Sequence, residues 1–252
     1  MKYLKIMFLL FVFLCVGGCN ESSKNEHSTE MVSSRGDKHN FSSLDLENEE
    51  ILKANVVVYN KNYSSFLGIK YKEYNSYGSG FIYKEDENYY YLLTNNHVVS
   101  YDYSYNNHKI IVEDYYSNKY EGEVINKSSK YDLAIVRINK SVKLKVLEIV
   151  NEDAIIGESV KSMSNPSSLK NVVSEGKINC YSIINFSNNK SNVNFDVLVH
   201  SADIMSGSSG SALLNNQNEV IGVTFAGVFD NNGDFVTGYS IPASKINEFL
   251  SK

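Results

Sequence analysis

Three side chains in this sequence have types that together could carry out nucleophilic catalysis: the imidazole of His97, the carboxylate of Asp132 and the hydroxyl of Ser209. Ser209 stands in MSGSSGSALL, residues 205–214. By composition alone such a Ser/Gly-rich run reads as a flexible linker. Its flanks, VLVHSADI and ALLNNQNEVIGVTF, read as buried strands, so the run between them has to be rigid. Gly207-Ser208-Ser209-Gly210-Ser211 fits G-x-S-G-[GS]. A loop of this kind can turn sharply, expose Ser209 Oγ and aim the backbone N–H groups of Gly207 and Ser209 at one point. Two convergent donors would stabilise an oxyanion in acyl transfer. Glycine at 207 tolerates unusual backbone angles, and glycine at 210 leaves room beside the nucleophile. The G-x-S-x-G spacing of a strand–turn–helix elbow is absent. Ser206, Ser208 and Ser211 are the competing hydroxyls, and none has the same glycine framing.

His97 lies in YYYLLTNNHVVS, where a hydrophobic strand ends at Thr94 and NNH forms the turn after it. Standing alone it would be a hydrogen-bonded loop histidine. Asp132 lies in KYDLAIVRI, at the mouth of an apolar strand. Standing alone it would be a turn or cap residue. Together they allow a carboxylate to orient an imidazole through Nδ1–H.

The elements that must position these groups are short. From Ile51 onward apolar or alternating runs recur between Asn, Ser, Gly and Asp: NVVVY, GSGFIY, YYYLLT, KIIVEDYY, YEGEVIN, LAIVRI, ESVKSM, NVVSEGKINCYSII, VNFDVLV, ALL, EVIGVTF and FVTGYSI. About a dozen strands at this spacing predict an all-β sandwich or barrel. Only Pro242–Leu250 reads as a helix, with Ile246, Phe249 and Leu250 on one face.

In order and register, GSGFIY…LLTNNHVV…YDLAIVRI…GSSGSALLNNQNEVIGV…GYSIP resembles the chymotrypsin-like serine proteases. It is most similar to the bacterial HtrA/Deg type of trypsin-like domain, without a PDZ domain, with the V8/exfoliative-toxin group second. The resemblance covers residues 51–252. It implies two six-stranded β-barrels with the site in the cleft between them, His97 and Asp132 on the first and Ser209 on the second. It implies a His97–Asp132–Ser209 triad, an oxyanion hole from Gly207 and Ser209, a peptide or protein substrate, and no metal or cofactor. Three positions depart from the pattern. Ser211 and Ala212 replace a Gly and a Pro, and Ser208 replaces an Asp that in digestive relatives pairs with a newly cut N-terminus. Asp203, six residues before Ser209, occupies the position that selects Lys or Arg in trypsin-like enzymes; the competing reading is a different loop path, as in the HtrA type. Thr224, Ala226 and Gly227 are expected to line the pocket and pair with substrate backbone. His200 either faces that pocket or sits in a loop.

The N-terminus has a separate logic. MKYLKIMFLLFVFLCVGGC carries two lysines, an apolar run from Ile6 to Val16 and small residues before Cys19. The run is short for a bilayer span and fits a secretory signal. VGGC resembles a bacterial lipobox, which implies cleavage after residue 18, lipid on Cys19 and an extracytoplasmic, lipid-anchored protein. Residues 19–50 read as a polar tether and 51–252 as the protease domain. Cys15 leaves with the signal, so Cys180 has no intrachain partner and is expected to be a small core residue. A formal net charge of -5 with no basic run argues against nucleic acid. Two other functions compete: an inactive protease-fold lipoprotein that binds, and a sugar-binding surface on the tyrosines of YDYSYNNHKIIVEDYYSNKY. Oligomeric state is not legible.

Overall fold

The computed structural model describes residues 41–43, 48–188 and 190–252. The apolar run at residues 6–16, Cys19 and the polar segment up to residue 40 lie outside the described residues. The first barrel is built from β2 (Asn55–Phe66), β3 (Ile69–Glu85), β4 (Tyr89–Thr94), β5 (Asn107–Glu113), β6 (Lys119–Ser128) and β7 (Leu133–Asn139). These strands close in the order β2-β3-β4-β7-β6-β5. Val56, Val58, Ile82, Leu92, Val112 and Val136 fill its interior.

The second barrel is built from β8 (Ser159–Ser164), β9 (Val172–Ile183), β12 (Asp196–His200), β13 (Ala212–Leu214), β14 (Val220–Phe229) and β15 (Phe235–Pro242). Its order is β9-β12-β15-β14-β13-β8, and a β8–β9 pairing closes it. Val160, Ile178, Leu198, Leu213 and Ile221 pack inside. The short strand β1 (Phe41–Ser43) adds to the edge of β9, so chain upstream of Ile51 joins the fold. A small hairpin, β10 (Phe186–Ser187) with β11 (Asn192–Val193), stands apart from both barrels as its own sheet. The two six-stranded barrels agree with the all-β expectation.

A third apolar cluster joins the barrels. Phe81, Leu93 and Leu133 of the first meet Met163, Val223, Phe225 and Ile241 of the second. The C-terminal helix α3 (Ala243–Leu250) covers this cluster with Ile246 and Phe249, and Pro242 precedes its first turn as expected. Tyr131, the neighbour of Asp132, stacks obliquely on Phe249 at 6.2 Å and donates its hydroxyl to Glu248 at 2.5 Å. Two one-turn helices that the sequence pattern did not reveal are α1 (Glu49–Leu52) and α2 (Asn96–Val99), which carries His97.

Two positions differ from expectation or resolve it. Cys180 is exposed rather than a core residue. The pairing of β9 with β12 shifts between Val199 and His200, so Ile178 and Cys180 face consecutive partners. The extra residue inverts the alternation, keeping Ile178 inside and turning Cys180 out. His200 is on β12 and fully buried. Its Nε2 lies 3.0 Å from Ser240 Oγ, which in turn lies 3.0 Å from Thr224 Oγ1. A Cβ at Gly238 would come within 2.3 Å of the ring, so the imidazole occupies the space that a side chain at 238 would need.

Burial lowers the His200 pKa from 6.5 to about 4, because the cation would be stripped of water. The unfolded chain therefore binds the extra proton first. Stability is unaffected by His200 above pH 6.5 and falls as pH drops toward 4, by up to about 3 kcal/mol. Urea unfolding at pH 7, 5 and 4 is expected to show this slope in the parent chain and a shallower one in His200→Gln. Parallel slopes would remove His200 as the cause.

Candidate active site

The aromatic and apolar residues of β4 drive a half-buried strand that stops at Thr94. Asn95 and Asn96 then break the ladder and place His97 in α2. Each amide in this turn is used. Asn95 Nδ2 donates to the Asp132 carbonyl at 2.9 Å, and Asn96 Nδ2 donates to the Lys190 carbonyl at 2.5 Å. From β2, Asn60 Nδ2 donates to the carbonyls of Val98 and Ser100, each at 2.9 Å. The backbone around His97 is thus pinned from three sides.

Asp132 is fully buried at the entrance of β7, with φ 51. Asp tolerates this left-handed conformation better than most residues. Its carboxylate receives three donors. His97 Nδ1 lies 2.7 Å from Oδ2, the His97 backbone N–H donates to Oδ1 at 3.0 Å, and Ser191 Oγ donates to Oδ1 at 2.6 Å. A buried carboxylate is tolerable only when paired and hydrogen-bonded in this way. The bond through Nδ1 leaves Nε2 as the free ring nitrogen, and the side chain is 21% exposed. Such a dyad can take a proton at Nε2 while the carboxylate balances the imidazolium.

Ser191 was not singled out from the sequence. It sits in the turn between β10 and β11, where Asn188 Oδ1 accepts the N–H groups of Lys190 and Ser191. Asn192 N–H donates to the Ser129 carbonyl, just before Asp132, at 2.8 Å. The hairpin belongs to the second half of the chain and reaches over to the first barrel. A local signal existed only in the turn-forming SNNKSN run, which says nothing about its target.

The serine loop is clamped between the barrels. Ser79 N–H donates to the Ser209 carbonyl at 2.7 Å, and Ser79 Oγ donates to the Gly207 carbonyl at 2.8 Å. Ser79 Oγ also accepts the Asn165 N–H at 2.9 Å, and the Ser79 carbonyl accepts Thr94 Oγ1 at 2.7 Å. Gly207 and Gly210 have φ 95 and 89. A Cβ at Gly210 would stand 2.1 Å from the Ser79 carbonyl oxygen, and one at Gly207 2.5 Å from the Asn165 carbonyl oxygen. Both glycines are therefore required by angle and by space. A Cβ at Gly78 would touch the Ser209 carbonyl at 2.8 Å and Val98 at 2.7 Å, so the serine loop and the turn bearing His97 meet there.

Burial separates the four serines of this loop. Ser208 and Ser211 are buried, and Ser208 Oγ accepts the Met205 N–H at 3.1 Å. Ser206 is exposed, while Ser209 is half-buried. Among the described residues no hydrogen bond joins Ser209 Oγ to His97; such contacts commonly tighten only around substrate. The N–H groups of Ser208, Gly210 and Ser211 donate within the fold, to Met205, Thr224 and Ser208. Those of Gly207 and Ser209 have no acceptor among the described residues.

Thr224 is buried, with its carbonyl on Gly210 N–H and its side chain in the His200–Ser240 network. Ala226 and Gly227 are half-buried on β14. Beyond Thr224, β14 has β15 as its ladder partner and, among the described residues, no strand on its other edge. Asp203 is half-buried in the loop after β12, and its carbonyl accepts Ser174 Oγ at 2.6 Å. Beside it Ile204 packs against Gly227, where a Cβ would stand 2.8 Å from Ile204 Cδ1.

Comparison with known proteins fits this geometry. The chain is 27% identical over 188 residues to the periplasmic serine endoprotease DegP of Escherichia coli, covering 73% of this chain and 37% of that protein. It is 33% identical over 176 residues to serine protease HTRA1 of Xenopus tropicalis, covering 69% of this chain and 35% of that protein. It thus spans little more than a third of the length of these relatives. A serine endoprotease of Yersinia pestis superposes with a TM-score of 0.59 at 26% identity, covering 81% of this chain and 64% of that one. Residues 78–223 match the trypsin-like peptidase domain, a span that runs from the glycine beside Ser209 on β3 through the serine loop into β14; the chain belongs to that family.

Proposed function

We propose that this chain is a serine endopeptidase that hydrolyses peptide bonds through an acyl-enzyme. The observation that carries the reading is the buried Asp132 carboxylate on His97 Nδ1 at 2.7 Å, next to a glycine-framed Ser209 with free main-chain N–H groups. Ser209 Oγ attacks the substrate carbonyl while His97 Nε2 takes its proton. The new C–O bond places the carbonyl's electron pair on oxygen, which Gly207 and Ser209 N–H groups hold. Collapse expels the amine, which takes the proton from His97. Water then repeats the sequence and releases the acid. Asp132 keeps the imidazole in the required tautomer and balances its charge.

The substrate backbone lies as an added strand on the open edge of β14 at Ala226 and Gly227. Thr224 supports that strand from beneath, and Asp203 and Ile204 shape the pocket wall. The N-terminal reading completes the picture: a signal at residues 1–18, lipid on Cys19, and a catalytic domain held outside a bacterial cell membrane. The name of the Escherichia coli relative, a periplasmic endoprotease, supports an extracytoplasmic site of action.

A fluorophosphonate probe with mass mapping tests the reading. Labelling is expected on Ser209 and is expected to vanish in Ser209→Ala and His97→Ala, with kcat falling on the order of 10⁶-fold in either. A folded chain that takes no label would make it a binding protein on a protease fold.

Ser191 acts through Asp132 as a positioning residue. Ser191→Ala is expected to lower kcat roughly 10–100-fold with little change in KM, the weight of one hydrogen bond to a charged group. Ser191→Thr, which keeps the hydroxyl on Asp132, is expected to restore kcat. Equal losses in Ser191→Thr and Ser191→Ala would reduce Ser191 to a packing role.

A further inference from the structure

The β2–β3 hairpin extends beyond its barrel. β5 pairs with β2 as far as Tyr63, opposite Asn107, so from Ser64 onward β3 is the only strand paired with β2 among the described residues. Phe66 pairs with Ile69 across a two-residue turn, Leu67-Gly68, with φ 49 and 81. This is the positive-φ pattern that Asn-Gly satisfies best. Leucine there is unfavourable twice over, since its Cβ resists the left-handed region and its side chain is 85% exposed. Its neighbours repeat the second fault: Phe66 is 71% exposed, Ile69 72% and Tyr71 68%.

Among the described residues nothing covers these four large apolar side chains at the hairpin tip. Together they expose on the order of 500 Å², short of the ~800 Å² per partner of a standard protein interface. A wedge of this size needs no complementary cleft in a bilayer. Its surroundings match a membrane interface as well. Residues 61–74 hold Lys61, Lys70 and Lys72 against Glu73, on a chain whose formal net charge is -5. Lys70 Nζ lies 4.4 Å from the Tyr63 ring centroid and Lys72 Nζ 4.3 Å from that of Tyr105. Aromatic rings with lysines above an apolar tip are the arrangement found at the headgroup level.

We propose that the β2–β3 hairpin tip inserts into the surface of a lipid bilayer bearing anionic headgroups. This contact is separate from the lipid on Cys19 and from the peptidase reading. Ten residues of extended strand separate Gly68 from Gly78, which borders Ser209. The tip therefore stands about 33 Å along β3 from the serine.

The chain has no tryptophan, so Phe66→Trp introduces a single reporter. With the full chain and vesicles of brominated phosphatidylcholine plus phosphatidylglycerol, its emission is expected to shift to the blue and be quenched. Ile183→Trp, 66% exposed on the second barrel, is the control and is expected to do neither, even when the N-terminus holds the chain on the vesicle. Adding Leu67→Asn to Phe66→Trp improves the turn while removing the apolar wedge, so the expected loss of most quenching does not reflect unfolding. Absence of quenching, or equal quenching in Ile183→Trp, overturns the proposal. So does a blue shift without vesicles that grows with protein concentration, which would assign the tip to a second copy. Quenching undiminished in phosphatidylcholine alone overturns the anionic preference.

Discussion

Everything at the candidate site depends on holding two barrels at one fixed offset, and Ser79 does this. It is the point where a strand of the first barrel bonds to the serine loop of the second, through the 2.7 Å contact from its N–H to the Ser209 carbonyl. All of its polar atoms are committed, with Thr94, Gly207 and Asn165 as the other partners. Because Asn165 and Gly207 belong to the second barrel and Thr94 leads into the turn of His97, one residue, through its side chain and its backbone, ties three segments. The van der Waals fit is equally strict. No atom larger than hydrogen fits on Gly210 beside the Ser79 carbonyl. A sliding of the barrels by an ångström would break a buried bond or create an overlap.

The two buried ionisable groups near this join show opposite solutions to the same problem. Asp132 keeps its negative charge out of water by collecting donors from His97 and Ser191. His200 is stripped of water by burial and meets the Ser240 hydroxyl rather than a carboxylate, and so stays neutral. The difference matters for β14, because Ser240 links His200 to Thr224. A charged imidazole under Thr224 would disturb the strand whose carbonyl holds Gly210 N–H. The neutral state of His200 is thus part of what keeps the serine loop in place.

Much of this was legible in the sequence, for a physical reason. The strands of a closed barrel must alternate or run apolar, and β4, β7 and β14 do so plainly. GSSGS announces backbone that is neither helix nor strand, NNH marks the end of β4 without showing that Asn96 and His97 open a helical turn, and Asp132 stands at a strand mouth. The family resemblance then supplied the division into two barrels. What stayed hidden depends on contacts made across long separations. Ser191 meets Asp132 from 59 residues away, and Ser79 meets Gly207 from 128. Neither serine has a local pattern that differs from an ordinary polar position. Cys180 was misjudged because a bulge, not composition, decides which way it points. The outer half of the β2–β3 hairpin was missed because its turn is Leu-Gly rather than Asn-Gly, and because its apolar positions, Phe66, Ile69 and Tyr71, face solvent instead of a core.

The seating of Tyr131 on Phe249 and Glu248 has a consequence for the order of events during biosynthesis. A ribosome releases the first barrel, with His97 and Asp132, well before the hairpin that carries Ser191, the loop that carries Ser209, or the helix that fixes the residue next to Asp132. A nascent chain therefore holds only an unsupported dyad. The complete candidate site would arrive as a single late event, when the distal segments dock, so that the fold itself keeps time for its assembly.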